Sequence, residues 1–503
     1  MSEREGLRQL RRRILPFADR HAAMLLFLPI VWWMAIQTHR LGHSWGDDFA
    51  LYLRQARSLL DGNVGQVIAD NHFNVDNAAK PGFSPYVYPW GWPMLLAPFV
   101  RLFGIDYARL KLVEVAALCG FLWVFHEVIR ARMPRWVAFG VVVSLGTTLA
   151  YLVHTDHLIS ELPYMLVVAI TFWWLDRCRH LRRLDQASQR RLVVLGLLAV
   201  AVFNVRREGL AIVAAIAAVQ LLDLRGHWRT ADRRRVATPY VTFVLGVIGF
   251  QLLVPSSLVP SYDEAGLHQT WKKLQGPFRE AFGDQLGLPG LHGVALLVIF
   301  LLVVAGVIVR LWRAPKQDLP LFVFAVGSMT IAGMIPALSD RYLLAVTPFA
   351  LYFAVQALAA IPLPRHAGRW VAVAALAVLT ALHLPDVTDA IDAASSSRDK
   401  GQIIDGPEAP YVQPAWEAIR TLTHQDDVVA FQKVRALTFY TDRRGVQSSD
   451  LAIVQQRADF FMMRRDSTFS QPLVSTREGE SMGWTVAWQD DNWVLWRIVP
   501  PSP

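Results

Sequence analysis

Apolar runs of membrane-spanning length recur along the first three quarters of the 503-residue chain. A membrane helix needs roughly 20 mostly apolar residues. Runs near 21–38, 110–129, 136–153, 162–176, 192–206, 208–223, 238–256, 291–310, 319–337, 342–361 and 369–384 predict about eleven spanning helices. A shorter apolar segment, 88–104, opens on Tyr88-Pro-Trp-Gly-Trp-Pro and predicts a re-entrant or interfacial helix, with Trp90 and Trp92 at headgroup depth. Between it and the first span the period becomes amphipathic. Phe49, Leu53, Ala56 and Leu60 share one helical face, with Arg54, Arg57 and Asp61 away from it. Residues 257–290 form a second polar segment, with Lys272, Lys273, Arg279 and Glu280.

From 385 onward the pattern is that of a soluble domain. It predicts helices near 411–423, 434–441 and 450–457, and strands at Val428–Gln432, 445–448 and Phe460–Arg464. A closing hairpin runs from Trp484–Trp488 to Trp493–Ile498. The expected fold is therefore an all-α polytopic membrane module with a small α/β C-terminal domain.

Charge sets the expected orientation. Hydrophobic residues make up 53% and charged residues 18%, with 18 Trp, which is too little charge to cover a soluble chain of this size. The net charge of +9 does not indicate nucleic acid, because its arginines cluster between the apolar runs. Arg4 to Arg20, Arg130 to Arg135, Arg177 to Arg191, Arg225 to Arg235, Arg310 to Lys316, and Arg365 with Arg369 fall in alternate loops, as cytoplasmic loops do. Residues 1–20 then form a basic cytoplasmic N-terminus, followed by a retained first span rather than a removed signal peptide. Residues 21–384 form the membrane module, with outer loops 39–109 and 257–290. An odd span count places 385–503 outside the cytoplasm. The two cysteines, Cys119 and Cys178, predict no disulfide.

Four charged groups lie at span ends on the expected outer face, where ionisable residues mark function by default. His43-Ser-Trp-Gly-Asp-Asp48 opens the amphipathic helix. Asp48 suits a helix cap, but a cap does not need two acids. His154-Thr-Asp-His-Leu-Ile-Ser-Glu161 precedes a span. Ser160 suits a cap and Glu161 the positive helix end, which leaves His154, Asp156 and His157 unexplained. Asp48, Asp156 and His157 offer mixed ligands for a divalent metal, without a recognised metal spacing. Asn204-Val-Arg-Arg-Glu-Gly209 reads as an Arg–Glu turn or as an anion site, since guanidinium forks match phosphate oxygens. Ser339-Asp-Arg-Tyr342 carries Arg341, which snorkelling alone could place. A phosphate ligand at headgroup depth outside the cytoplasm is more plausibly a lipid phosphate than a nucleotide.

At these residues the sequence resembles the GT-C superfamily of membrane glycosyltransferases, over roughly 20–360. The similarity is to bacterial relatives of the protein O-mannosyltransferase and aminoarabinose transferase families. Gly46-Asp-Asp-Phe-Ala-Leu-Tyr-Leu-Arg-Gln-Ala-Arg-Ser-Leu-Leu-Asp-Gly62 resembles their acidic first outer loop, which carries the catalytic aspartate. Tyr88-Pro-Trp-Gly-Trp-Pro-Met-Leu-Leu-Ala97 resembles the helix after it, and Asp156 to Pro163 the second acidic loop. Arg206-Arg-Glu-Gly-Leu210 and Arg341-Tyr-Leu-Leu-Ala-Val-Thr-Pro348 resemble two further segments, with Arg207 and Ala345 standing where prolines are commoner.

The resemblance implies a multi-pass protein of the bacterial inner or plasma membrane. It implies inverting transfer of a sugar from a polyprenyl phosphate to a hydroxyl of a glycan, lipid or protein acceptor. Asp47 or Asp48 would be the base, supported by Asp156 and Glu161. Arg206, Arg207, Arg341 and Lys272 would hold the donor phosphate, and a divalent metal would be a possible cofactor. The rival class is a transporter or flippase for a lipid-linked anion. That class predicts inverted repeats and charges at mid-membrane depth, and the sequence shows no repeat.

Overall fold

The computed structural model describes residues 21–78, 84–179, 183–258, 283, 285–286, 294–334, 340–363, 367–466 and 468–498. Lys272, Lys273, Arg279, Glu280 and Arg365 lie outside them. The described chain is mostly helical, with one five-stranded sheet near its end. Among the described residues four helices are long and apolar enough to cross a membrane: Tyr107–Ile129, Arg233–Leu253, Leu296–Arg313 and Ala367–Asp399. Shorter apolar helices include His21–Gln37, Gly91–Phe103, Arg135–Gly146 and Thr347–Ala359. The expected count of about eleven spans is thus not reproduced by length and composition alone.

Helix pairing follows the apolar faces. Tyr107–Ile129 packs on Glu161–Arg179, Leu210–Leu224 on Pro315–Gly333, and Val294–Arg313 on Thr347–Ala359. Leu118, Phe121, Leu122, Val168 and Phe172 meet in one large aliphatic and aromatic core. Other helix faces keep apolar residues exposed, among them Leu245, Leu252 and Phe300. A helix that leaves such residues uncovered faces a non-aqueous surrounding.

Several expectations are corrected. The run 136–153 is two helices, Arg135–Gly146 and Leu149–His154. At the junction, the Thr147 and Thr148 hydroxyls bond back to Val143 O at 3.0 Å and Ser144 O at 2.8 Å. Such side-chain bonds compete with the helical ladder. The run 342–361 opens with a 3₁₀ turn, Asp340–Leu343, before the helix Thr347–Ala359. The last apolar helix continues past 384 to Asp399. Trp90 and Trp92 are fully buried in protein. Trp90 donates to Pro255 O at 3.0 Å, and Trp92 packs with Phe49 and Leu53.

The amphipathic helix, here α1, spans Asp47–Asp61. Its two acids sit in the first turn, where negative charge suits the helix dipole. Gly62, at φ 74°, closes it in the left-handed conformation that glycine reaches without strain. Phe49, Leu53 and Ala56 are buried as expected, whereas Leu60 is exposed. A helix the sequence did not announce, Val64–Asp76, follows.

The C-terminal domain follows its predicted order closely. The strands are β1 Val428–Ala430, β2 Arg444–Val446, β3 Phe460–Arg464, β4 Thr485–Gln489 and β5 Trp493–Arg497. Their spatial order is β2-β1-β3-β5-β4, with β1 parallel to β2 and β3, and β5 antiparallel to β3 and β4. Alternation puts Phe460 and Met462 in one core with Trp416 and Trp493, and Phe461 and Met463 in another with Trp484 and Trp496. Both faces of the sheet are therefore covered. A short helix, Thr476–Ser481, was not expected; a Ser475–Glu478 capping box starts it.

Candidate active site

Residues from all four charged groups meet at the start of α1. The chain enters α1 from the first apolar helix through 39–46, and that stretch is held from two sides. On one side Lys111 Nζ donates to Arg40 O at 3.0 Å, to Gly42 O at 2.6 Å and to Asp156 Oδ1 at 2.6 Å. Asp156 also accepts from Arg40 Nε at 3.0 Å. On the other side Ile404 N donates to Leu41 O at 3.0 Å, and Trp45 N donates to Asp405 O at 3.4 Å. At Gly406 a Cβ would lie 1.8 Å from His43 O, so only glycine lets the two strands of chain approach this closely.

The anchored loop brings the acids and arginines together. Tyr88 Oη donates to Asp48 Oδ1 at 2.5 Å, and Arg341 Nη2 pairs with Asp48 Oδ2. Arg341 Nε also lies 3.3 Å from Glu161 Oε1, so this guanidinium bridges the two acidic loops. Arg206 Nη1 is 2.6 Å from Glu161 Oε1, and its Nη2 donates to Glu208 Oε1 at 2.9 Å. Arg206 and Arg341 both stand over the Tyr342 ring, at 4.8 and 5.6 Å. The Ser160 hydroxyl meets Tyr52 and Arg206, each at 3.1 Å.

A cavity of about 360 Å³ opens here, lined by His43, Asp47, Asp48, His154, His157 and Arg341 among others. That is within the range of small-ligand sites, about 300–1,000 Å³. His157 Nδ1 lies 3.1 Å from Ser44 Oγ, and burial pushes its pKa down to about 4. Burial likewise pushes His43 down to about 3. Both rings are neutral at pH 7 and line the cavity as hydrogen-bonding rather than charged groups.

The two aspartates differ sharply. Neither caps α1: Gly46 is the capping residue, in extended conformation, without a side-chain bond. Asp48 is the paired acid. Burial alone would raise its pKa, but the Arg341 and Arg435 guanidiniums outweigh that and hold it well below the usual carboxylate range. Asp47 is the under-satisfied acid. Burial raises its pKa, Arg435 and Lys433 offset part of the shift, and the Asp48 charge adds to it. Its Oδ1 has no hydrogen-bond partner among the described residues.

Two sequence candidates, Asp156 and Arg207, stand apart. Asp156 is 2% exposed and bound to Lys111 and Arg40, so it fixes the loop. Arg207 donates to Ser257 O at 2.8 Å, Phe203 O at 2.9 Å and Ser256 Oγ at 2.6 Å, which clamps the chain beyond residue 253. The metal set Asp48, Asp156 and His157 does not assemble. Asp156 is held by two cations and Asp48 by Tyr88 and two guanidiniums. Among the described residues no group of three or more His, Cys, Asp or Glu side chains comes together as it would around an ion. Two participants were missed. Tyr88 opens the segment Tyr88-Pro-Trp-Gly-Trp-Pro. Arg435 is a lone arginine in the otherwise uncharged helix Val434–Thr441, a signal that was readable.

The fold has counterparts of known structure. The chain matches ArnT from Cupriavidus metallidurans bound to undecaprenyl phosphate, with a TM-score of 0.54 at 14% identity, covering 96% of this chain and 99% of that one. It matches the Archaeoglobus fulgidus oligosaccharyltransferase tethered with an acceptor peptide, with a TM-score of 0.53 at 12% identity, covering 89% and 70%. That archaeal protein in complex with Zn and sulfate matches with a TM-score of 0.50 at 12% identity, covering 87% and 67%. The fold of this chain is the one these proteins share. No family model matches the sequence, and no curated protein matches it.

Proposed function

We propose that this chain is an inverting glycosyltransferase, moving a sugar from a polyprenyl phosphate to an acceptor hydroxyl at the cavity beside Asp47. The observation that carries the reading is the presence, in the lining of one cavity, of an under-satisfied carboxylate and of an arginine that bridges two acidic loops. The polyprenyl phosphate of ArnT and the acceptor peptide of the archaeal enzyme support a lipid-linked donor and a separate acceptor.

In this reading Asp47 takes the proton of the acceptor hydroxyl. The acceptor oxygen forms a bond to the anomeric carbon from the face opposite the phosphate. The bond from that carbon to the phosphate oxygen breaks, and its electron pair leaves with the polyprenyl phosphate. Arg341, with Arg206 behind it, meets the charge that develops there. Asp48 and Glu161 hold these guanidiniums in place. No step is assigned to a metal, because the two proposed carboxylate ligands, Asp48 and Asp156, are already bound to cations. Arg207 is a structural clamp, and Lys272 keeps only its sequence-based candidacy. A purified polyprenyl-phosphate sugar labelled in its headgroup tests the reaction. Label should leave the lipid and join an acceptor; label that stays on the lipid with a range of hydroxyl acceptors present would contradict it.

We place the cavity on the extracytoplasmic side, with the N-terminus cytoplasmic, on the arginine distribution between the apolar runs. A reporter fused after Pro503 should be active outside the cytoplasm. A reporter active only inside would reverse the orientation and remove the argument for a donor presented on the outer leaflet.

A further inference from the structure

We propose that the C-terminal domain completes this site, and that Arg435 is a positioning residue that holds the Asp48 carboxylate and the Tyr88 hydroxyl while Asp47 faces the cavity. This inference rests on the reaction proposed above.

Arg435 lies on the helix Val434–Thr441, here α2, which packs on α1. It is 4% exposed. Its Nη1 donates to Tyr88 Oη at 2.6 Å and lies 3.4 Å from Asp48 Oδ1, and its Nη2 donates to Ser84 Oγ. The guanidinium carbon sits 4.6 Å from the Tyr88 ring centroid, within the range of a cation–π contact. The cavity is lined by Asp47, Asp48 and Arg341 but not by Arg435. Arg435 therefore stands behind Asp48, on the side away from a bound substrate, and acts through it.

The same short helix reaches the other acid. Lys433, just before its first residue, contributes positive charge at Asp47, and the Ala436 N–H points at the Asp47 carboxylate. One eight-residue helix thus engages both acids. Its seat is well defined. Tyr440 and Tyr107 hydroxyls are 2.6 Å apart, and Gly445 N donates to Asn74 Oδ1 at 3.2 Å.

The physics makes this more than docking. A buried guanidinium without a counter-charge is strongly unfavourable. An ionised Asp48 supplies counter-charge for Arg435 in its pocket and accepts from Tyr88. Arg341 is then left with one face toward the cavity and one toward the carboxylates. A domain that merely rested on the membrane module would need no arginine at this depth.

The test uses the full chain. Arg435→Ala should lower kcat about 10- to 100-fold, the size of effect that misplacement of a reacting group produces. The KM for the polyprenyl-phosphate sugar should stay within about threefold, since tenfold in affinity needs 1.4 kcal/mol of lost donor contact. Arg435→Lys should restore most of the rate, because it returns the charge to Asp48. Tyr440→Phe, which loosens the same interface without touching Asp48, should leave kcat unchanged. A thermal double-mutant cycle over Asp48→Asn and Arg435→Gln reads the contact independently of turnover and should show coupling. Absent coupling, or full kcat in a folded Arg435→Ala, overturns the positioning role and leaves the reaction standing. An equal loss of rate in Tyr440→Phe would reduce Arg435 to a docking residue. Coupling with no transfer by the wild-type chain overturns the reaction and the role of Arg435 with it.

Discussion

Asp47→Asn is expected to abolish transfer while leaving donor binding and thermal stability intact. Loss of a general base typically slows a reaction about 10²–10⁴-fold. Asn keeps the size of the side chain and its place in the first turn of α1, so a lost rate reports the lost charge. The stability expectation runs the opposite way from a structural acid. Burial raises the Asp47 pKa, so the folded chain holds this proton more tightly than the unfolded chain does. The group stabilises the fold below the ordinary carboxylate pKa, and that contribution disappears as pH rises through the raised value. At neutral pH the Asn variant should therefore melt no lower than wild type. Asp48→Asn should behave differently. It leaves Arg341 and Arg435 without their carboxylate, at a cost of about 1.5–3 kcal/mol for charged hydrogen bonds in a site still partly open to solvent. The acid limb of the wild-type rate should also lie above the ordinary carboxylate range. Near-normal turnover in Asp47→Asn would remove it as the base.

Arg341→Ala should weaken the donor more than any other arginine change in the cluster. Arg341 lines the cavity, whereas Arg206 is more deeply covered by Glu161, Glu208 and Tyr342. Losing a charged hydrogen bond costs about 1.5–3 kcal/mol, or roughly tenfold to a hundredfold in affinity. Arg207→Ala provides the contrast. Its three donor bonds go to Ser256, Ser257 and Phe203, so it should lower the melting temperature without changing donor affinity of the folded protein. Equal donor loss in both variants, measured by competition with polyprenyl phosphate, would mean that the arginines act through overall fold.

Much of this was legible in the sequence because the signals were local. Asp47 and Asp48 opening an amphipathic face, Glu161 before a span, Arg206 and Arg341 at span ends, and the alternation of Phe460 to Met463 all depend on near neighbours. What was not legible depended on long-range partners. Asp156 looked like a ligand because Lys111, 45 residues earlier, cannot be paired with it from spacing. Arg207 and Arg206 are adjacent in sequence, yet they point into different environments once the 3₁₀ turn Arg207–Gly209 forms. Arg435 reaches Asp48 across 387 residues, which no periodicity announces. The packing of Trp90 against Val254 and of Trp92 against Phe49 likewise joins distant segments that spacing does not connect.

The most direct measurement is single-turnover transfer from a labelled polyprenyl-phosphate sugar by purified wild-type chain and by Asp47→Asn, reading both the amount of product and its anomeric configuration. The account predicts product of inverted configuration from the wild type, and none from Asp47→Asn although it still binds the donor. Product of retained configuration, or equal product from the two proteins, would contradict it.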